Sequence, residues 1–230
     1  MAFPATIYGA EKDVYETGTV QLYPLGQKLV TPDGSIFRYA KMGAVAGVAA
    51  KLYQSEVPKA GWVRELVSTA LAVGDTTIRF TDGAEAFVAN LFAGGTVLVE
   101  ETDDLGHIYR IKSNTASAGS AEATLTLEDG VTVQVAVAVV AGNVLTVLKN
   151  PWRDLIIVPA SLPTAQVVGV PRIVVAAAAF GWTQTRGVAS CLVSGVPIIG
   201  QPVCPSNAVS GAIAAKRKSG TATIANAATT

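Results

Sequence analysis

The sequence predicts an all-β protein, a small β-barrel or sandwich body with an N-terminal hairpin and extended terminal arms. Three observations predict it. Between Trp62 and Lys149, turn residues recur roughly every 10–12 positions, the spacing of short strands joined by tight turns. Polar and apolar residues alternate with the two-residue period of a strand, most clearly over Ile36–Lys41, where Ile36, Arg38 and Ala40 face one way and Phe37, Tyr39 and Lys41 the other. Alanine, the strongest helix former, occurs 37 times, yet it alternates with Val and Thr, and Gly interrupts every long candidate helix.

The first 20 residues show no sustained period and read as an extended arm, a kind of segment that gains order only on a partner. Val20 to Lys41 is a hairpin: two β-rich stretches meet at Thr31-Pro32-Asp33-Gly34, where Pro32 presets the turn and Gly34 closes it. Residues 43–53, GAVAGVAAKLY, suit a short helix or a further strand. Strands then follow the turns at 73–75, 93–95, 103–106 and 119–123. The apolar run VTVQVAVAVVAGNVLTVL at 131–148 reads as two buried strands joined at Ala141–Asn143, because Gln134, Gly142 and Asn143 interrupt it and its composition is β-branched. Only AEAFVANLF, 84–92, carries helical spacing, of one or two turns.

Asn150–Pro163, with Pro151, Pro159 and Pro163, reads as a connector leaving the barrel. Several more strands follow it, broken by Gly181, Gly187, Gly195 and Gly200. Beyond Val209 the chain is too small and polar to bury much surface. The division is therefore an arm and hairpin region (1–63), a β-barrel (64–149), a C-terminal β region (150–208) and a tail (209–230).

Composition bounds the function. Half of the residues are apolar and only 15% are charged, with 22 Gly and 11 Pro as punctuation, so the chain reads as folded and globular. The net charge is zero, but residues 1–130 carry −6 and residues 131–230 carry +6. Such two-endedness suits complementary contact between subunits. Nucleic-acid binding is not expected, since only Lys216, Arg217 and Lys218 cluster and no basic face with interleaved aromatics appears. No membrane span is expected either. MAFPATIYGAEKDVYE lacks the cationic start and apolar core of a secretion signal, so folding in a reducing cytoplasm is expected, with Cys191 and Cys204 as buried thiols.

Catalytic chemistry has little to rest on. His107 is the single histidine, so any triad must use it, and no nucleophile motif lies nearby. Glu100, Glu101, Asp103 and Asp104 form the densest acidic cluster, but the spacing lacks the calcium-loop glycine, and Glu100 and Glu101 would face opposite ways on a strand. No phosphate-binding glycine loop is present. Trp62, Trp152 and Trp182 stand apart, as core or contact anchors. The expectation is a non-enzymatic chain with no cofactor or metal.

Three stretches resemble decoration (cement) proteins encoded among the head genes of tailed phages. They are LGQKLVTPDGSIFRYAKMGA (25–44), with its Gly-Gln-Lys strand, Pro-Asp-Gly turn and aromatic-Arg-Tyr strand; AGGTVLVEETDDLGHIYRIKSNTASAGSAEATLTLEDG (93–130); and FGWTQTRGVASCLVSGVPIIGQPVCPS (180–206). The resemblance covers under half of the chain. It implies a β-rich, often trimeric protein on the outer surface of the virion head, binding the major capsid protein and itself, with no catalytic residues. On that reading the terminal arms reach neighbouring subunits, and Tyr8, Tyr15, Tyr23, Phe37 and Tyr39 are the contact residues, because aromatic side chains anchor interfaces at low entropic cost. Competing readings are a phage tail or fibre component, a carbohydrate-binding β domain stacking sugars on Trp62 or Trp182, and a hydrolase using His107.

Overall fold

A computed structural model describes residues 4–100 and 105–216. Among these residues the chain forms strands and two short 3-10 turns, with no α-helix. In chain order the strands are β1 (Thr6–Tyr8), β2 (Lys28–Val30), β3 (Ile36–Lys41), β4 (Tyr53–Gln54), β5 (Glu65–Leu66), β6 (Thr77–Thr81), β7 (Thr96–Glu100) and β8 (Ile108–Asn114). They continue with β9 (Glu122–Leu127), β10 (Val144–Leu148), β11 (Ile156–Ile157), β12 (Val167–Pro171), β13 (Phe180–Arg186), β14 (Val203–Pro205) and β15 (Ile213–Ala215). The all-β expectation holds.

The first body is a six-stranded sheet in the order β5-β10-β7-β8-β9-β6. A bridge between Val67 and Phe80 brings its two edges together, so the sheet is nearly closed into a barrel. Alternation dictates its interior: in β6, Ile78 and Phe80 point inward between exposed threonines and Arg79, and in β7 Val97 and Val99 do the same. Trp62, Phe92, Ile111, Leu125 and Leu145 fill the rest of this core. Each such side chain contributes about 2 kcal/mol by leaving water.

Two sequence expectations fail inside this body. Only one regular strand, β10, forms from 131–148. Residues 131–140 instead touch residues 71–75 at intervals, through a Leu71–Val137 bridge and a bond from Gly74 N to Val133 O at 2.9 Å. The turn at Ala141–Asn143 does form, with Asn143 N donating to Val140 O at 3.1 Å. The helical spacing of 84–92 yields a single turn, because Phe87 is captured by an antiparallel bridge to Ser117 and Asn90 adopts a positive φ of 61°.

The second body draws on both ends of the chain. Its seven strands run β1-β2-β3-β13-β12-β4-β11, so the segments read separately as 1–63 and 150–208 form one sheet. Its centre is the antiparallel pair β3–β13, with Trp182 opposite Tyr39 and Gly181 opposite Ala40. The alternation read from Ile36–Lys41 gives this sheet two buried faces. Phe37 and Tyr39 join Val14, Leu29, Phe180 and Trp182 on one side, while Ala40 and Met42 join Tyr53, Leu155, Val168 and Val175 on the other.

The N-terminal segment is not a free arm. β1 pairs in parallel with β2, Gln27 Nε2 donates to Pro4 O at 2.8 Å, Gly18 bridges Phe180, and Val14 in a 3-10 turn is only 1% exposed. Its apolar residues fall where the sheet has a face to cover, and that outweighs the absence of a local period. Residues 43–53 form neither helix nor long strand; they turn twice, with Ala50 at φ 61°, and enter the short β4. The 150–163 connector contributes β11 and buries Leu155 and Val158.

The tail likewise begins in ordered structure. β15 pairs with β14 in a two-stranded ribbon, Ala212 is buried, and Leu52 N donates to Gly211 O at 2.7 Å, tying the ribbon to the second body. The rest of the expected tail, 217–230, lies outside the described residues.

Candidate functional site

The aromatic contact residues divide sharply. Tyr8 is 82% exposed at the open edge of β1, and Tyr15 is 47% exposed. Phe37 and Tyr39 are 0% and 3% exposed, which corrects their assignment as contact residues. Tyr39 stacks on Phe180 with centroids 5.9 Å apart and meets Trp182 edge-on at 5.1 Å, while its hydroxyl accepts from Leu22 N at 3.2 Å. Tyr23 packs beside it, 5.2 Å from Tyr39 and 5.3 Å from Trp182. These rings form a core that an aromatic-rich strand sequence cannot distinguish from a surface cluster.

Trp62 and Trp182 are also buried, at 2% and 3%, so neither offers the exposed stacking platform of the carbohydrate reading. His107 sits at the entry to β8 with its Nδ1 3.2 Å from the Tyr109 hydroxyl. Cys191 and Cys204 are free and half-buried, with burial raising the Cys191 thiol above its ordinary value. Glu101, Asp103 and Asp104 lie outside the described residues, and Glu100 is paired with Arg64 at 3.3 Å. No group of three or more potential metal ligands occurs among the described residues. No helix there is long and apolar enough to cross a membrane.

The most exposed apolar surface lies elsewhere. After β13 the chain was expected to continue in strands, but 187–202 is loop, held by one isolated bridge from Val193 to Ile213 and by a bond from Gln184 Nε2 to Val188 O at 2.9 Å. Along it Val188, Val196 and Ile199 are 90%, 91% and 104% exposed, and Ile198 is 71%. Gly195 and Gly200 adopt positive φ at the two ends of the Val196–Ile199 run. The signal was present in sequence: Val196-Pro197-Ile198-Ile199 sits between Gly195 and Gly200 without any polar alternation, so no face was designated for burial.

Between the two bodies lies a cleft of about 790 Å³. Its walls come from the 24–27 and 55–58 turns, the 94–96 turn of the barrel, and the 147–153 segment that joins the bodies. Asn150, 6% exposed, is the hinge of this seam: its Nδ2 lies 3.2 Å from both Leu25 O and Gly94 O, and its Oδ1 accepts from Trp152 N at 2.9 Å. Gly95 is required here, because a Cβ would stand 2.2 Å from Leu148 O.

Five charged residues line the cleft, the bases Arg38, Arg110, Lys149 and Arg153 and the acid Glu56. Lys149 bonds Glu56, lies 3.4 Å from Asp154, and holds its ammonium 5.2 Å over the Trp62 ring, a cation–π contact. Arg38 donates to Gly26 O at 2.7 Å and Arg110 to Gly94 O at 3.4 Å; neither forms an ion pair among the described residues. Trp62 Nε1 and Arg153 Nε are buried and have no hydrogen-bond acceptor. An orphaned buried donor costs about 1–3 kcal/mol. The Arg153 Nε retains only a 3.8 Å electrostatic contact with Asp154.

Fold and geometry together define an all-β protein of two sheet bodies, one a nearly closed barrel, meeting at a basic cleft. No family model matches the chain, no curated protein matches it, and no solved structure matches it.

Proposed function

We propose that this chain is a structural, non-enzymatic protein of a tailed-phage particle, a decoration protein that binds the outer surface of the head and stabilises contacts between major capsid proteins. The observation that carries the proposal is the apolar loop at 187–202. Soluble proteins rarely hold several β-branched side chains almost wholly in water on one loop, and such a strip marks a contact surface. Val188, Val196, Ile198 and Ile199 lose that exposure once a shell subunit covers them. Tyr8 and Tyr15 add aromatic area on another part of the surface, and the −6 and +6 halves of the chain supply an orientation for docking. A trimer would multiply weak contacts of this kind across a symmetric shell.

The test is co-sedimentation with empty shells of the corresponding major capsid protein, comparing the wild type with a Val188→Ser, Val196→Ser, Ile199→Ser variant. These side chains contribute almost nothing to the interior, so the variant folds. Occupancy falls at least tenfold in the variant if the loop docks on the shell. Undiminished occupancy defeats the loop assignment, and no sedimentation of the wild type with heads but co-purification with tails moves the protein to the tail. Deleting residues 1–19 is no clean test of an arm, since Val14 belongs to a core.

A further inference from the structure

The cleft between the bodies has a chemistry that the docking loop does not use. Two guanidinium groups, Arg38 from β3 and Arg110 from β8, reach it from opposite bodies. They are linked through one relay of backbone carbonyls: Arg38 donates to Gly26 O, Asn150 bridges the adjoining Leu25 O to Gly94 O, and Arg110 donates to that same Gly94 O. Each guanidinium has five N–H donors and uses one here, and neither forms an ion pair among the described residues.

The walls repeat the imbalance. Of three buried side-chain polar atoms left without a partner among the described residues, two are N–H donors on cleft-lining residues, Trp62 Nε1 and Arg153 Nε. The single lining acid, Glu56, is already engaged by Lys149. Those two atoms are shut inside the walls, but four bases against one engaged acid leave the cleft itself short of negative charge, and its volume is in the range of small-molecule sites.

We propose that this cleft is a binding site for an oxyanion ligand, a carboxylate or phosphate gripped by Arg38 and Arg110 across the seam of the two bodies. Arginine suits the task because its planar fork meets two oxygens of one anion at once. Because the two arginines belong to different sheets, the bound anion also fastens barrel to sheet. The chemistry is shared by free anions and by the acidic side chains of a peptide, and the two sources separate by affinity.

The experiment titrates the full chain with inorganic phosphate, citrate and tetraglutamate, reading calorimetric heat and tryptophan fluorescence; Trp62 and Trp152 both line the cleft and report on it. Saturable binding at or below about 10 mM is expected for at least one probe. Arg38→Gln and Arg110→Gln each weaken it about tenfold to a hundredfold, the range of a lost charge-assisted hydrogen bond. Arg79→Gln, which removes a base paired with Glu122 away from the cleft, leaves binding unchanged. Tetraglutamate binding tighter than phosphate assigns a chain-borne acidic segment, and the reverse order assigns a free anion. Absence of saturable binding by all three probes overturns the proposal, as does equal affinity in a folded Arg110→Gln variant. Arg110→Gln folds, since the only side-chain bond of Arg110 within the described residues is the long one to Gly94 O, and its backbone pairing does not depend on the side chain.

Discussion

The side-chain amide of Asn150 lies 3.2 Å from the carbonyl of Gly94, and the same Nδ2 lies 3.2 Å from Leu25 O, so one buried asparagine joins the barrel to the second sheet. The contact depends on Gly94, whose φ of +73° disfavours a side chain and where a Cβ would stand 3.0 Å from Asn150 Nδ2.

Asn150→Ala removes both donor contacts and the acceptor for Trp152 N, leaving backbone groups unpaired in a buried seam. The expected cost is about 2 kcal/mol, or roughly 4–8 °C in Tm for a chain of this size, measured by calorimetry. Because Asn150 is the tie between bodies, the variant should also unfold with a broader, less cooperative transition in urea. A sharp transition at the wild-type midpoint would refute the hinge role.

Asp33 closes the β2–β3 turn by accepting from Thr31 Oγ1 at 2.5 Å, Ser35 Oγ at 2.7 Å and Ser35 N at 3.2 Å. Those bonds, the Thr31 one foremost, lower its carboxyl from 3.8 to about 2. A carboxyl whose folded value is depressed contributes stability that is complete above its unfolded value and lost as pH falls through the folded one. Asp33→Asn is therefore less stable than wild type near neutrality, and the gap closes between pH 3.8 and about 2. Thermal melts across that window check it; a gap that persists at the acid end contradicts it.

Glu65 shows the opposite sign. Burial, and secondly the charge of Asp82, raise its carboxyl above 4.5. Asp82 is 2% exposed, and its Oδ2 has no hydrogen-bond partner. Folding here favours the protonated acid, so stability is complete below the unfolded value and declines as pH rises through the folded one. Glu65→Gln is expected to raise Tm near neutrality and to leave it unchanged well below pH 4.5. Equal melting at all pH values would show that folding does not raise the Glu65 carboxyl.

Local order was legible wherever it is written in neighbouring residues. Thr31-Pro32-Asp33-Gly34 specifies its turn through φ preferences and side-chain acceptors within five positions, and β3 and β6 announce themselves by alternation. The barrel strands β5 to β10 fall within the expected 64–149 span because their turns are short and their partners lie nearby in sequence. Readings failed where a tertiary partner intervened: the 131–140 run looked like a strand by composition, yet residues 71–75 contact it only at intervals. The N-terminal segment looked unpaired until β2 offered it an edge.

By itself the sequence determined the strand-rich class and the hairpin near its start, both properties of residues a few positions apart. Tertiary structure alone decided that β3 pairs with β13 more than 130 residues later, with Phe37 opposite Gln184. That pairing sends Phe37 and Tyr39 inward, and the meeting of the two sheets sets Arg38 and Arg110 on one cleft. The physical reason is that a period of two states which side chains share a face, whereas burial of that face depends on a partner strand whose distance along the chain no local pattern encodes.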